Sequence, residues 1–124
     1  MIPWIKDPVL NGGGAVMDFG CYGANLMTWL MDNRKPLSVV SAVQTIKPDQ
    51  YEEVEDQATV ILTYPEAQCI LEASWNWPVN MKTSEIYGKS GYIQIPDKET
   101  LLIRTGEKSP VQQINPVSRP APYN

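Results

Sequence analysis

Three hydrogen-bonding side chains at helical spacing form the part of this sequence best suited to chemistry. Asp18, Tyr22 and Asn25 are separated by four and then three residues, so in an α-helix they lie one above another on a single face. A carboxylate, a phenol and an amide in one row can bind a polar ligand. The structural alternative is that Asp18 simply stabilises the first turn of the helix, whose dipole favours a negative charge there.

Glycines surround this polar row. Residues 12–14 are all glycine, and Gly20 and Gly23 lie inside the predicted helix, where each costs about 1 kcal/mol relative to alanine. One explanation is packing, with Gly14 next to the helix N-cap and the two internal glycines letting the helix lie close to a sheet. The other is that the internal glycines clear space for a ring or sugar to approach the backbone.

The absence of histidine restricts the chemistry further. Without histidine, Ser-His and Cys-His dyads and the HExxH zinc motif are excluded, so acid–base work falls to Tyr, Asp, Glu or Lys. Cys21 and Cys69 are isolated from each other and from any CxxC motif, which argues against a zinc or iron–sulfur site. A disulfide between them stays open. The acidic segment YEEVED, residues 51–56, is interpreted as a solvated loop rather than a metal site.

Composition limits the class of protein and its partners. A chain of 124 residues with 43% apolar residues is expected to form one globular domain. The net charge of −4 without a long basic run argues against nucleic-acid binding, which depends on phosphate neutralisation. No apolar run approaches the roughly 18 residues of a membrane span, and no signal peptide opens the chain. We therefore expect a soluble, cytoplasmic domain with no membrane partner.

The hydrophobic pattern predicts one helix followed by strands. Apolar residues recur at helical spacing from Ala15 to Met31, whereas residues 1–14, rich in proline and glycine, are expected to hold no regular element. Residues 116–124 contain three prolines and are expected to be a linker or an unpaired tail. The predicted strands lie in SVVSAVQTIK, in the hairpin DQATVILTYP and QCILEASWNW, in SEIYGKSGYIQIP (two strands), in ETLLIRT and in PVQQIN.

These elements predict an α+β fold, with a mainly antiparallel open β-sheet and one long helix packed on one face. A helix of about 17 residues is roughly 25 Å long and covers only part of such a sheet. The strands carry apolar residues at both parities, for example Val60 and Leu62 on one face and Ile61 on the other. We expect a second copy of the chain and a missing part of a larger protein to supply the cover.

Two tryptophans near the end of a predicted strand allow a separate hypothesis. Trp75 and Trp77 are two residues apart, so in a strand both rings point to one face. Such a pair can stack on a sugar, or it can fill an interface between sheets, where tryptophan is enriched. The interface is the interpretation we favour, because the sheet needs cover in any case.

The glycine-rich stretch also resembles a known signature. GGGAVMDFGCYGANLMTWL is similar to the GGG-x-x-x-D-x-G-x-[HY]-x-x-[DN] motif of the Gfo/Idh/MocA oxidoreductases. WIKDP resembles the W-x-x-D-P lead-in of their C-terminal domain, VEDQATVILTYPEAQCILEASW its strand pair ending in Ser-Trp, and EIYGKSGYIQI its strand turn. The resemblance covers roughly residues 4–95.

The resemblance implies roles for individual residues. Asp18 matches the motif aspartate, which orients substrate hydroxyls and the catalytic lysine. Tyr22 matches the proton acceptor or donor at the carbinol oxygen, a position that many members fill with histidine. Tyrosine there favours the branch of glucose-fructose oxidoreductase, xylose dehydrogenase and dihydrodiol dehydrogenase over inositol dehydrogenase. Asn25, Gly14 and Trp4 are expected to contact the substrate, and no residue is expected to bind a cofactor or metal.

The resemblance further implies parts that this sequence lacks. Members begin with a Rossmann domain whose GxGxxG loop holds NAD or NADP, followed by a Glu-Lys-Pro segment with the catalytic lysine, and neither motif occurs here. A phenol has a pKa of about 10, so a tyrosine base at neutral pH needs such a cation beside it.

We therefore expect residues 1–124 to be the C-terminal substrate-binding and dimerisation domain of an NAD(P)-dependent sugar or polyol oxidoreductase. The domain is expected to be inert without its nucleotide-binding domain. Its expected partners are a small sugar-like substrate and a second copy of the chain, which binds through the exposed sheet face. The alternative is a non-catalytic carbohydrate-binding or scaffolding module with the same fold.

Overall fold

The structure, a computed structural model, describes residues 3–117. The chain divides into two units, residues 1–78 and residues 79–124. The first unit contains a long helix and an antiparallel three-stranded sheet, and the second contains an antiparallel four-stranded sheet. The predicted α+β class is therefore confirmed, although the strands are divided between two sheets.

The segment before the glycines is more regular than its composition indicated. Pro3–Lys6 form a turn of 3-10 helix, and Pro8–Asn11 form a one-turn α-helix, α1. Asp7 is the N-cap of α1 and accepts hydrogen bonds from two of its backbone N–H groups, while Gly12 ends it in the left-handed conformation at φ 79°. The prediction of no regular element in residues 1–14 is therefore wrong, because an Asp-Pro pair is itself a helix start signal.

The long helix has two parts of different pitch. Val16–Gly20 form a π-helix, which continues directly into the α-helix Cys21–Leu30, α2. Asp32 and Asn33 follow with positive φ angles of 53° and 59° and terminate α2, a conformation that these two residue types tolerate well. The helix predicted from Ala15 to Met31 is thus confirmed, but its first part is wider than an α-helix.

The sheet of the first unit consists of three antiparallel strands in the order β1-β2-β3. The predicted hairpin is confirmed, with Val60 opposite Leu71 and Leu62 opposite Cys69. The strands are β1, Ser38–Gln44; β2, Gln57–Thr63; and β3, Gln68–Ser74.

The helix packs on one face of this sheet through two clusters. At its start, Ala15 packs with Ala58 and Ala73, and these small side chains let the backbone approach the sheet closely. Farther along, the buried side chains are larger, so the packing there is that of an ordinary apolar core. This second cluster comprises Met27, Met31, Leu62 and Tyr64.

Gly23 shows which explanation of the internal glycines the structure favours. A Cβ at this position would lie 2.7 Å from Leu71 Cδ2, which is too close for an unstrained contact. Gly23 therefore faces β3, and its lack of a side chain lets α2 lie on the sheet. A Cβ at Gly20 would meet Val16 Cγ1 at 3.5 Å, an ordinary contact.

The opposite face of the first sheet carries an apolar row in its middle. Val40, Ile61 and Ile70 are directly opposite one another across the three strands, and Val40 and Ile70 are 63% and 62% exposed. All seven residues of β1 are exposed as well. Within the described residues this face is open, as the apolar residues at both parities predicted, and the occupant that covers it stays a prediction.

The second unit is a meander of four antiparallel strands in the order β4-β5-β6-β7, all of which the sequence predicts. Residues 118–124 of the predicted tail lie outside the described residues, and residues 115–117 form no regular element. Across residues 3–117, no helix is both long enough and apolar enough to cross a membrane. The strands are β4, Ser84–Tyr87; β5, Gly91–Asp97; β6, Thr100–Thr105; and β7, Gln112–Ile114.

Candidate functional site

A hydrogen bond joins the helix aspartate to the end of the first sheet. Trp75 Nε1 donates to Asp18 Oδ2 over 2.9 Å. Asp18 lies in the π-helical segment, and Trp75 is the first residue after β3. The two side chains are 57 positions apart in the sequence, so no local pattern indicated this contact.

Trp75 is itself held on two sides. Its backbone N–H donates to the Asp56 carbonyl over 2.9 Å, and its ring lies 5.0 Å from the Tyr51 ring, centroid to centroid, at an angle of 41°. Tyr51 is only 4% exposed, and Lys6 Nζ sits 4.8 Å from the centroid of its ring. A continuous set of contacts therefore runs from the lead-in segment through Tyr51 and Trp75 to Asp18.

The two tryptophans do not form a common surface through strand alternation. β3 ends at Ser74, so Trp75 and Trp77 follow the strand and the period of two does not apply to them. Trp75 contacts Tyr51 and Asp18, whereas Trp77 is 40% exposed. The prediction that both rings point to one face of a strand is therefore wrong.

The acidic loop before β2 is only partly solvated. Tyr51, Val54 and Asp56 are all buried, and Asp56 is completely inaccessible to solvent. The Asp56 carboxylate accepts hydrogen bonds of 2.8 Å from the backbone N–H groups of Ile46 and Lys47. The prediction of a solvated loop therefore holds for Glu52 and Glu53, which are exposed. It is wrong for Asp56, because this carboxylate binds backbone donors from the preceding part of the same connection.

The hydrogen bonds of Asp56 determine its protonation. Burial alone would raise its pKa, but the hydrogen bonds from the Ile46 backbone, the Asn76 side chain and the Lys47 backbone outweigh burial and hold the pKa below the ordinary value. Asp56 is therefore a buried, charged carboxylate at neutral pH that serves to bind the backbone donors around it.

Glu55 binds the start of the long helix. Its carboxylate accepts hydrogen bonds from the backbone N–H groups of Gly14, at 3.1 Å, and Val16, at 3.0 Å. Its carbonyl accepts another from Ala15 N over 2.9 Å. Free N–H groups at a helix start commonly bind phosphate, but here Glu55 occupies them. The glycine-rich turn of this chain is therefore not suited to hold the pyrophosphate of a dinucleotide.

Gly14 is buried against the same loop. A Cβ at this position would overlap the Glu55 carbonyl oxygen, and the Glu55 carbonyl carbon and Cδ would both lie 2.9 Å away. This close approach is a sufficient reason for glycine at position 14. The contact of Gly14 with a substrate stays a prediction.

The other predicted site residues lie at the surface of the first unit. Tyr22 and Asn25 are exposed on α2, with Tyr22 62% exposed, and Trp4 in the lead-in is 48% exposed. Asp18, in contrast, is half-buried, and the wider π-helical turn at Asp18 means that ideal α-helical spacing does not relate it to Tyr22. π-Helical segments of this kind occur frequently at functional sites.

The cysteines and acidic residues give no sign of a metal centre. Cys21 and Cys69 are not joined in a disulfide, and partial burial raises the pKa of the Cys69 thiol. Between residues 3 and 117, no three His, Cys, Asp or Glu side chains are grouped so that they could hold a metal ion.

Comparison with known proteins decides the family. The sequence profile of the GFO/IDH/MocA C-terminal domain matches residues 1–94, which include the polar helix, the Glu55 loop and Trp75. The chain belongs to this family. Its Gfo/Idh/MocA membership, predicted from the glycine–aspartate motif, is thereby confirmed.

A solved structure supports the same assignment. The chain is similar to aldose-aldose oxidoreductase from Caulobacter crescentus, whose crystal structure is a complex with glycerol, at 25% identity and a TM-score of 0.79. The match covers 94% of this chain and 36% of that protein, so the chain spans about a third of its length. No curated protein matches the chain.

Proposed function

We propose that this Gfo/Idh/MocA domain is the substrate-binding part of an NAD(P)-dependent oxidoreductase that acts on a carbinol group of a sugar or polyol. The observation that carries the proposal is the Asp18 carboxylate, held by Trp75 in the π-helical segment, with the exposed Tyr22 phenol four residues farther along the same helix. An aldose-aldose oxidoreductase among the similar structures supports a sugar substrate.

Each polar residue of the helix has one role in this proposal. Asp18 binds and orients a substrate hydroxyl through its carboxylate. Tyr22 accepts the proton from the reacting hydroxyl, or returns it in the reverse direction, as a general acid–base group. Asn25 donates or accepts a hydrogen bond without adding charge. Trp4 and Gly14 are proposed to contact the substrate from the lead-in side.

The glycine-rich turn before the long helix offers no free backbone donors to the nicotinamide cofactor. The backbone N–H groups of Gly14 and Val16 are occupied by Glu55, so we place NAD or NADP on a separate nucleotide-binding domain of the same protein. When bound there, the nicotinamide supplies the hydride acceptor or donor. The 36% coverage of the similar oxidoreductase is what a substrate domain of a larger enzyme would show.

The open face of the first sheet is part of the proposal. Its apolar row of Val40, Ile61 and Ile70 is proposed to be covered by a second copy of the chain, because identical apolar rows are complementary across a twofold axis. Sedimentation of the protein is expected to report a dimer. A monomer at micromolar concentration would contradict this assignment.

Turnover of a sugar is the experiment that tests the proposed function. The protein that carries this domain together with its nucleotide-binding domain is mixed with NAD or NADP and with aldoses, polyols and amino sugars in turn, and nicotinamide absorbance is followed. We expect one class of sugar to change the absorbance, and residues 1–124 alone to give no change. If the same two-domain protein binds a sugar specifically but the nicotinamide absorbance does not change, the alternative of a non-catalytic carbohydrate-binding module is supported.

A further inference from the structure

Trp75, whose indole binds Asp18, does not itself take part in the proposed reaction. An indole has a single hydrogen-bond donor, its ring N–H, and in Trp75 this donor lies 2.9 Å from Asp18 Oδ2. A hydrogen bond to a carboxylate is stronger than one between neutral groups. The Trp75 donor therefore binds one oxygen of Asp18 and restricts the rotation of its carboxylate.

The surroundings of Trp75 make it a rigid support. Its backbone N–H is bound to the Asp56 carbonyl and its ring packs on Tyr51. Both of these neighbours are buried, Tyr51 at 4% and Asp56 at 0% exposure. The next residue is also held, since Asn76 N donates to Ser74 Oγ over 3.0 Å. The indole thus has little freedom to turn away from Asp18.

We propose that Trp75 is a positioning residue for the catalytic helix, acting through Asp18 and not on the substrate itself. With Oδ2 committed to the indole, Oδ1 is the oxygen that binds the substrate hydroxyl. The reacting carbinol is thereby positioned next to the Tyr22 phenol. This inference rests on the proposed function, because it assigns Trp75 a purpose only if Asp18 binds substrate.

The test compares two tryptophan variants of the full enzyme. Trp75→Phe keeps an aromatic ring against Tyr51 while it removes the indole N–H donor and part of the ring system. Trp77→Phe makes the same change at an exposed tryptophan two residues away. We expect Trp75→Phe to lower kcat by about 10- to 100-fold, the range for loss of a hydrogen bond to a charged group. KM is expected to change less than threefold, and Trp77→Phe to keep wild-type kcat.

A double-mutant cycle separates positioning from a general loss of structure. If Trp75 acts through Asp18, the variant carrying both Trp75→Phe and Asp18→Asn is no slower than Asp18→Asn alone. If the losses of kcat in the two single variants multiply in the double variant, the positioning role is overturned. It is also overturned if Trp75→Phe is as fast as wild type while Asp18→Asn is impaired. An unimpaired Asp18→Asn enzyme overturns the proposed function and this inference together.

The contact itself is measured independently of turnover. In a ¹⁵N-labelled sample of the full enzyme, the indole N–H signal that is lost in Trp75→Phe belongs to Trp75, and the one lost in Trp77→Phe belongs to Trp77. We expect Asp18→Asn to shift the Trp75 signal more than the Trp77 signal. An unmoved Trp75 signal would show that the indole does not bind Asp18 in solution and would overturn the inference.

Discussion

Replacing Gly14 with alanine is expected to lower the free energy of unfolding by about 3 kcal/mol or more, among the larger effects of single substitutions. The new methyl group would overlap the carbonyl oxygen of Glu55, a backbone atom that cannot rotate away. Relief requires the helix start and the loop to separate. That movement breaks the hydrogen bonds from Gly14 N and Ala15 N to Glu55.

Gly20→Ala is the matched control for this prediction. Gly20 lies within the helix that begins directly after Gly14, but a Cβ there meets Val16 and Ala73 only at 3.5 and 3.9 Å. Alanine has a higher helix propensity than glycine. We therefore expect Gly20→Ala to leave the free energy of unfolding unchanged or to raise it by up to about 1 kcal/mol. Urea unfolding followed by circular dichroism measures both variants. Equal stability of Gly14→Ala and Gly20→Ala would contradict the close approach of residue 14 to the Glu55 loop.

Asp56→Asn is expected to be about as damaging at neutral pH, by about 3 kcal/mol. The Asp56 carboxylate accepts from two backbone N–H groups, those of Ile46 and Lys47. An asparagine presents one oxygen and one NH₂ group, so one of these two backbone N–H groups would then face another donor. The cost is large because the site is completely inaccessible to water.

The destabilisation caused by Asp56→Asn depends on pH, and the direction follows from the pKa shift of Asp56 in the wild type. The pKa of Asp56 is lower in the folded protein than its ordinary value, which is about 3.9. Its contribution to stability is therefore complete above about pH 4 and is lost as the pH falls through the lowered pKa.

The stability difference between wild type and Asp56→Asn should accordingly be constant near neutrality and shrink in acid. Asp49→Asn, an exposed substitution in the same loop, is the control and is expected to change stability by less than about 0.5 kcal/mol. Urea unfolding at a series of pH values measures all three proteins. A difference for Asp56→Asn that stays constant down to pH 2 would contradict a charged Asp56 in the folded state.

The elements of this fold were predictable because their signals are local. Apolar residues at helical spacing marked the helix from Ala15, and alternating β-branched segments marked the strands and their hairpin. The π-helical start was not predictable in the same way. One extra residue in a turn leaves the hydrophobic pattern nearly unchanged, but it alters where Asp18 points relative to Tyr22 and Asn25.

The contacts that organise the site were invisible for a different reason. The pairs Trp75 with Asp18 and Glu55 with Gly14 are about 40 to 60 positions apart in the sequence. No local sequence pattern connects such residues, which come together only in the folded chain. The acidic loop shows the same limit. A run of glutamates and aspartates normally indicates solvent exposure, and only the fold reveals that Asp56 is buried against backbone donors.

The proposed chemistry depends most on Tyr22, so the decisive measurement is turnover by Tyr22→Phe in the full protein, with a sugar for which the wild type changes nicotinamide absorbance. Phenylalanine keeps the ring and removes the hydroxyl that is proposed to carry the proton. Tyr87→Phe is the matched control, because Tyr87 is similarly exposed, at 68% against 62%, and lies in the second unit. Nicotinamide absorbance gives kcat and KM for both variants.

We predict that Tyr22→Phe lowers kcat about 100-fold or more, the size expected for loss of a general acid–base group, while Tyr87→Phe stays within twofold of wild type. A Tyr22→Phe enzyme that turns over sugar as fast as wild type would contradict a role of the Tyr22 hydroxyl in proton transfer. The motif helix would then be a packing element, and the proton acceptor would lie elsewhere.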